Sequence, residues 1–67
     1  MKIFAERLKD LRLEKGLSIR QLAKKVDLSP MAISHWENYS RTPSADALII
    51  LSKFFGVTTD YLLGLED

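Results

Sequence analysis

The sequence contains no cysteine and only one histidine, so neither a disulfide nor a Cys/His zinc site can hold it together. With only three glycines and two prolines, there is no place for a flexible linker or a low-complexity segment. No apolar run approaches the roughly 18 residues a membrane span needs. Charged residues recur every few positions after Met1-Lys2, which excludes a secretory signal. A nucleophile–base pair, a phosphate-cradling glycine loop and a metal-ligand cluster are all missing, so an enzyme is not expected. These absences leave one small domain, residues 1–67, that must be stabilised by its own packing. The 46% hydrophobic content makes that feasible. Lack of cysteine fits a reducing compartment, and a cytoplasmic protein with no cofactor, metal or membrane partner is the expectation.

The formal net charge of +1 conceals an asymmetry. Residues 1–27 hold eight Lys and Arg against four Asp and Glu, whereas residues 28–67 hold two against five. The front of the chain is therefore +4 and the back −3. Such a division suits a face that meets an anion, or else simply a first helix with a solvated basic side.

Helical periodicity runs through the chain. Residues 3–15 read as a first helix, with Phe4, Leu8 and Leu11 on one stripe and Gly16 as its left-handed terminator. Ser18 and Gln21 have the spacing of a capping box for a second helix, which turns Leu22, Ala23 and Val26 inward. Asp27-Leu28-Ser29 is a turn, Ser29 caps a third helix, and Pro30 takes its first position. Residues 38–43 form a loop. Ser44 caps a fourth helix reaching Phe55, with Leu48, Leu51 and Phe55 inside, and Thr58 caps a short fifth one, TDYLL, before Gly64. The expected fold is all-α, with five helices and short connections.

The third helix has two unlike faces. At about 100° per residue, Ala32, Ile33 and Trp36 share one side, and Met31, Ser34, His35 and Asn38 the other, with Pro30 at its edge. The first side belongs to a core, Trp36 included. The second carries no Lys, Asp or Glu, although a solvated face favours long charged residues. A face of this kind suits lying against a partner.

The segments RLKDLR, GLSIRQLAKKV, SPMAISHWEN, PSADALIIL and FGVTTDYLLG stand in the order and spacing of the phage-repressor and Cro-like helix-turn-helix family, also called the Xre family. The chain resembles that family over essentially its whole length. The resemblance implies a compact lambda-repressor-like domain that binds double-stranded DNA. Its third helix would enter the major groove, its second would lie across the backbone, and a dimer would span half-sites about one turn apart.

Transferred position by position, the resemblance puts base-reading roles on Pro30, Met31, Ser34 and His35. Its backbone-contacting positions fall on Ile19, Asn38 and Arg41. Arg20, Gln21, Lys24, Ser29 and Tyr39 flank the same face and join the candidates for the sugar-phosphate. Pro30 and Met31 stand where family members often carry Gln, so bidentate adenine contacts are lost there and thymine-methyl packing takes their place. The bland alternatives are a helix starter and a flexible filler. Ser34 can reach a phosphate or a base edge. His35 can donate to guanine N7 or O6, or to a phosphate when charged, or be merely exposed. Ile19 stands where Gln is frequent, leaving the second helix's N–H groups to meet phosphate. Asp27 replaces the usual turn glycine, and a left-handed Asp27 is expected.

Arg12 and Glu37 border the inner stripes of the first and third helices. Their spacing and the resemblance together suggest an ion pair that orients the recognition helix, the alternative being two separate exposed side chains. Tyr61, Leu63 and Leu65 are either core or part of a homodimer surface. The functional expectation is a transcriptional repressor that occludes promoter DNA. Two alternatives stand beside it: a protein-interaction module that keeps the fold without DNA binding, and the DNA-binding part of a longer regulator.

Overall fold

A computed structural model describes residues 1–67 as five helices without strands: α1 (Lys2–Glu14), α2 (Ile19–Val26), α3 (Pro30–Glu37), α4 (Ala45–Phe55) and α5 (Thr59–Leu63). The boundary of α1 lies one residue earlier at each end than its apolar spacing indicates. At the start Ala5 N–H donates to Met1 O, and at the end Gly16 N–H donates to Leu13 O and Leu17 N–H to Arg12 O, which makes Lys15 the cap rather than a helical residue. Gly16 takes the left-handed conformation this motif requires, at φ 69°.

Each of the other four helices starts on a hydroxyl. Ser18, Ser29, Ser44 and Thr58 accept the N–H of Gln21, Ala32, Ala47 and Tyr61. At α2 the bond is reciprocated, because the Gln21 side chain accepts from Ser18 N–H at 2.8 Å. Helices this short gain little from propensity alone, so caps and tertiary burial decide whether they form.

Packing converges on one cluster. Phe4 and Leu8 from α1, Leu22 from α2, Ile33 from α3, Leu51 from α4 and Leu62 from α5 are fully buried. Trp36 lies on that cluster, edge-on to Phe4 with ring centroids 6.2 Å apart, and is a core residue. Leu11, Leu48 and Phe55 are only half-buried and flank the cluster, while Ala5, Ala47 and Leu62 complete the interior that the periodicity outlines. Ala23, buried on α2, is small enough to let α2 and α3 approach closely. The α2–α3 unit rests on α1, which packs on α3, and on α4, which packs on α2. α5 closes the bundle against α1 and α4.

No helix is long and apolar enough to cross a membrane. Near the C-terminus, Arg7 lies 4.2 Å from the centroid of the Tyr61 ring and donates to the carbonyls of Tyr61 and Glu66. Tyr61 and Leu63 are half-buried within the chain, whereas Leu65 is 72% exposed.

Candidate nucleic-acid interface

The α2–turn–α3 unit is built to hold one face of α3 outward. Asp27 is left-handed, at φ 56° and ψ 42°, and its N–H and that of Leu28 both donate to Ala23 O. This reverses the chain without a glycine, since a short polar side chain tolerates the αL region better than most. Ser29 Oγ then accepts Ala32 N–H at 3.3 Å, and Pro30 starts α3 where its missing N–H costs nothing.

The inner side of α3 is fixed by burial of Ile33 and Trp36 and by a charged clamp. Arg12 Nε donates to Glu37 Oε2 at 2.8 Å, and Arg12 Nη2 to Glu37 Oε1 at 2.9 Å. Arg12 Nη1 also donates to the Leu17 carbonyl at 2.7 Å. Both side chains are more than nine-tenths covered. Hydrogen bonding to Glu37 raises the Arg12 guanidinium above its usual value, against the opposing effect of burial and with the help of the Glu37 charge. One arginine therefore ties α1, the α1–α2 connection and the end of α3 together.

On the other side, Pro30, Met31, Ser34 and Asn38 are exposed, Met31 by 69%, and His35 is half-buried. Four of the helix's eight residues thus line a face that no other element covers and that bears no fixed charge. Cations stand around it. Arg20 and Lys24 on α2, and Arg41 in the following loop, are exposed and engage no carboxylate; Arg12–Glu37 is the ion pair of the chain. A shallow concavity between α2 and the start of α3 is lined by Arg20, Lys24, Asp27, Leu28 and Pro30. Ile19 is half-buried and packs against the core, which leaves its backbone N–H as the group available outside. Gln21 has its side-chain oxygen committed to Ser18 N–H, so its NH₂ group is what remains free.

The loop after α3 is more organised than its sequence suggests. Ser40 N–H donates to Asn38 Oδ1 at 3.1 Å and to the His35 carbonyl at 3.0 Å. This Asx-type bond commits the oxygen of Asn38 and frees its NH₂ donors for a partner. Ser40 Oγ lies 3.1 Å from His35 Nδ1 and 3.1 Å from the His35 carbonyl oxygen. Tyr39 takes a positive φ of 71° at this compact exit, and the residue is 51% exposed. Neither the role of Ser40 nor the left-handed Tyr39 is evident from helical periodicity. The available signal is the Asn-x-Ser spacing, which favours a side-chain-to-backbone turn.

No three His, Asp or Glu side chains come together as metal ligands would. The one-face arrangement of α2 and α3 is that of proteins that bind DNA through a helix-turn-helix, and comparison with known proteins agrees. The helix-turn-helix family model matches residues 8–62. Among curated relatives, the HTH-type transcriptional activator BcrR of Enterococcus faecalis is 44% identical over 64 residues, covering 96% of this chain and 31% of its own. Repressor protein C2 of Salmonella phage P22 is 41% identical over 63 residues, 91% of this chain and 28% of its own. The HTH-type transcriptional regulator ImmR of Bacillus subtilis (strain 168) is 36% identical over 62 residues, 92% of this chain and 49% of its own. The chain thus spans less than half the length of each of these relatives. With the matched region running from α1 into α5 and the capped turn between α2 and α3 in place, the chain belongs to the phage-repressor and Cro-like helix-turn-helix family.

Proposed function

We propose that the domain is a sequence-specific DNA-binding module of a transcriptional regulator, with α3 in the major groove and α2 across the phosphate backbone. The observation that carries this reading is the uncovered, uncharged face of α3 with unpaired cations on the elements beside it. Short polar and methyl-bearing side chains read base edges, and flanking cations and amides hold phosphates. Eight helical residues extend about 12 Å, close to the width of the major groove. Met31 and Pro30 suit a thymine methyl, Ser34 and His35 base edges, and Arg20, Gln21, Lys24, Ser29, Asn38, Tyr39 and Arg41 the sugar-phosphate, together with the N–H of Ile19.

So short a helix covers only a few base pairs, which is too little discrimination against a genome of competing sites. A homodimer on a near-palindromic operator resolves this. The longest axis of the domain is 27 Å, shorter than the about 34 Å between successive major-groove faces. Two copies therefore fit side by side on one face of a duplex, with exposed Leu65, and Tyr61 and Leu63 beside it, as the candidate contact. In this reading the module represses by occluding promoter DNA.

Selection of the purified domain on random duplexes at two salt concentrations tests the reading. Enrichment of a palindrome with half-sites about 10 base pairs apart supports it. Weak, salt-sensitive binding without enrichment overturns it in favour of a protein partner on the apolar Pro30–Met31 end of the same face.

A further inference from the structure

We propose that Ser40 fixes the tautomer of His35 and so makes the neutral imidazole a hydrogen-bond acceptor toward DNA, selecting an amino-bearing base, adenine or cytosine, at the position it reads. The inference rests on the DNA-reading role proposed above and assigns the polarity of one contact within it.

The argument is a count of protons. Ser40 Oγ stands 3.1 Å from His35 Nδ1 and 3.1 Å from the His35 carbonyl oxygen. A serine hydroxyl has one proton to give, and the carbonyl oxygen can only accept. If the hydroxyl donates to the carbonyl, Nδ1 must supply the proton for the other contact, and both hydrogen bonds form. If the hydroxyl donates to Nδ1 instead, only one bond forms, and two oxygens face each other at 3.1 Å with no proton between them. The first arrangement wins by one hydrogen bond and by the removal of that opposition. The backbone of Ser40 is held beside the ring, because its own N–H donates to the His35 carbonyl and to Asn38 Oδ1.

With the proton on Nδ1, the lone pair of a neutral ring is on Nε2. Nε2 has no partner within the chain, and no buried side-chain nitrogen or oxygen lacks one, so Nε2 is open to solvent. In the major groove the amino groups of adenine N6 and cytosine N4 are the donors, whereas guanine N7 and O6 and thymine O4 are acceptors. Neutral His35 thus meets adenine or cytosine with a hydrogen bond and guanine with opposed lone pairs. Ser40 touches no base in this scheme. It is a positioning residue, acting through the ring it holds.

The single histidine of the chain makes the tautomer directly readable. Imidazole ¹⁵N shifts are measured by two-bond correlation in alkaline buffer for the unaltered protein, Ser40→Ala and the conservative Ser40→Thr. The same three proteins and His35→Ala are then run through the random-duplex selection. The expected result is a protonated Nδ1 and a bare Nε2 in the unaltered protein and in Ser40→Thr, shifting toward a protonated Nε2 in Ser40→Ala. The operator column that loses its preference in His35→Ala should favour adenine or cytosine over guanine by about fivefold, a single hydrogen bond's worth. Ser40→Thr should keep that bias and Ser40→Ala lose it, with the other columns unchanged. A protonated Nε2 in the unaltered protein, guanine in that column, or no column responding to His35→Ala would each overturn the inference while leaving an enriched palindrome intact. Absence of enrichment in every protein would overturn the DNA reading itself, and the inference with it, whatever the tautomer.

Discussion

Arg12 and Glu37 meet fork to fork across the junction of α1 and α3, with nitrogen–oxygen distances of 2.8 and 2.9 Å. The guanidinium spends its remaining edge on the Leu17 carbonyl at 2.7 Å, so the pair also anchors the entry to α2. Burial of such a pair is a poor source of net stability, because desolvation offsets the attraction. Its geometry is a better source of register, since a planar fork accepts few orientations of its partner. In the proposed function it sets the angle at which α3 leaves the core.

Breaking one side of this pair should be costly. Glu37→Gln leaves a covered guanidinium without its counter-charge, and a loss of about 3 kcal/mol is expected in urea unfolding. A chain of 67 residues has about 3–10 kcal/mol in total, so this variant should lose between about a third and all of its stability. The paired replacement Arg12→Met with Glu37→Leu should recover most of the loss but not the DNA affinity. Recovery of both would show that the pair has no orienting role. The arginine side carries no pH switch. Its folded value is raised, so its contribution is fully present below the ordinary arginine range and is lost only as pH rises beyond it.

Asp27 offers the opposite sign. It holds a positive φ of 56° at the carbonyl end of α2, where a negative charge opposes the helix dipole. It also shares a concavity with Arg20 and Lys24. Asp27→Asn keeps a residue tolerant of αL while removing the charge. The melting temperature should rise by a few degrees, an effect of about 0.5 kcal/mol. Affinity for all duplexes should rise together by about twofold to fivefold, without change in the selected sequence. A fall in melting temperature, or a changed sequence preference, would show Asp27 doing something other than turning the chain.

The helices and their order were legible because each signal is local. Hydroxyl caps at Ser18, Ser29, Ser44 and Thr58 mark four starts, and apolar spacing marks the stripes between them. The left-handed Asp27 was legible because the family resemblance puts it where the turn usually has glycine, and a short polar side chain tolerates that conformation. What was not legible depends on groups meeting in space. Leu62, fully buried, is hidden among Tyr61, Leu63 and Leu65 because five helical residues are too few for a face to stand out. The bond from Arg12 to the Leu17 carbonyl depends on where the α1–α2 connection arrives, which the stripe that Arg12 borders does not encode. The Ser40–His35 lock requires the loop to fold back one turn, which no periodicity encodes.

Arg41 and Ser34 should separate positioning from reading. Both are exposed, one in the loop and one at the middle of the outward arc of α3. Arg41→Ala should weaken binding about equally on every duplex and lower the salt slope by about one. Ser34→Ala should leave the slope alone and relax the preference at one or two operator positions. Identical effects from both would mean that the domain meets DNA as a general cationic surface does, and the orientation proposed for α3 would be abandoned.

Tyr39 is where stability and affinity should move in opposite directions. A bulky aromatic residue at φ 71° is a backbone outlier, and with the residue 51% exposed its burial offsets only part of the strain. Strain of this kind persists when the surrounding structure over-determines it, and the bonds of Ser40 to His35 and Asn38 on either side do so here. Tyr39→Gly removes roughly 1–2 kcal/mol of left-handed strain, against about 0.4–1 kcal/mol for the added freedom of the unfolded chain. The net gain should be about 0.5 kcal/mol, visible as a small rise in the urea midpoint. If the phenol and ring edge lie against the sugar-phosphate, the same variant should bind duplexes several-fold more weakly, irrespective of sequence. More stable and weaker-binding protein is the expected pair of results. A stabilised variant with undiminished binding would remove Tyr39 from the interface, and a destabilised one would mean that the ring packs on the exit of α3 more than its exposure suggests.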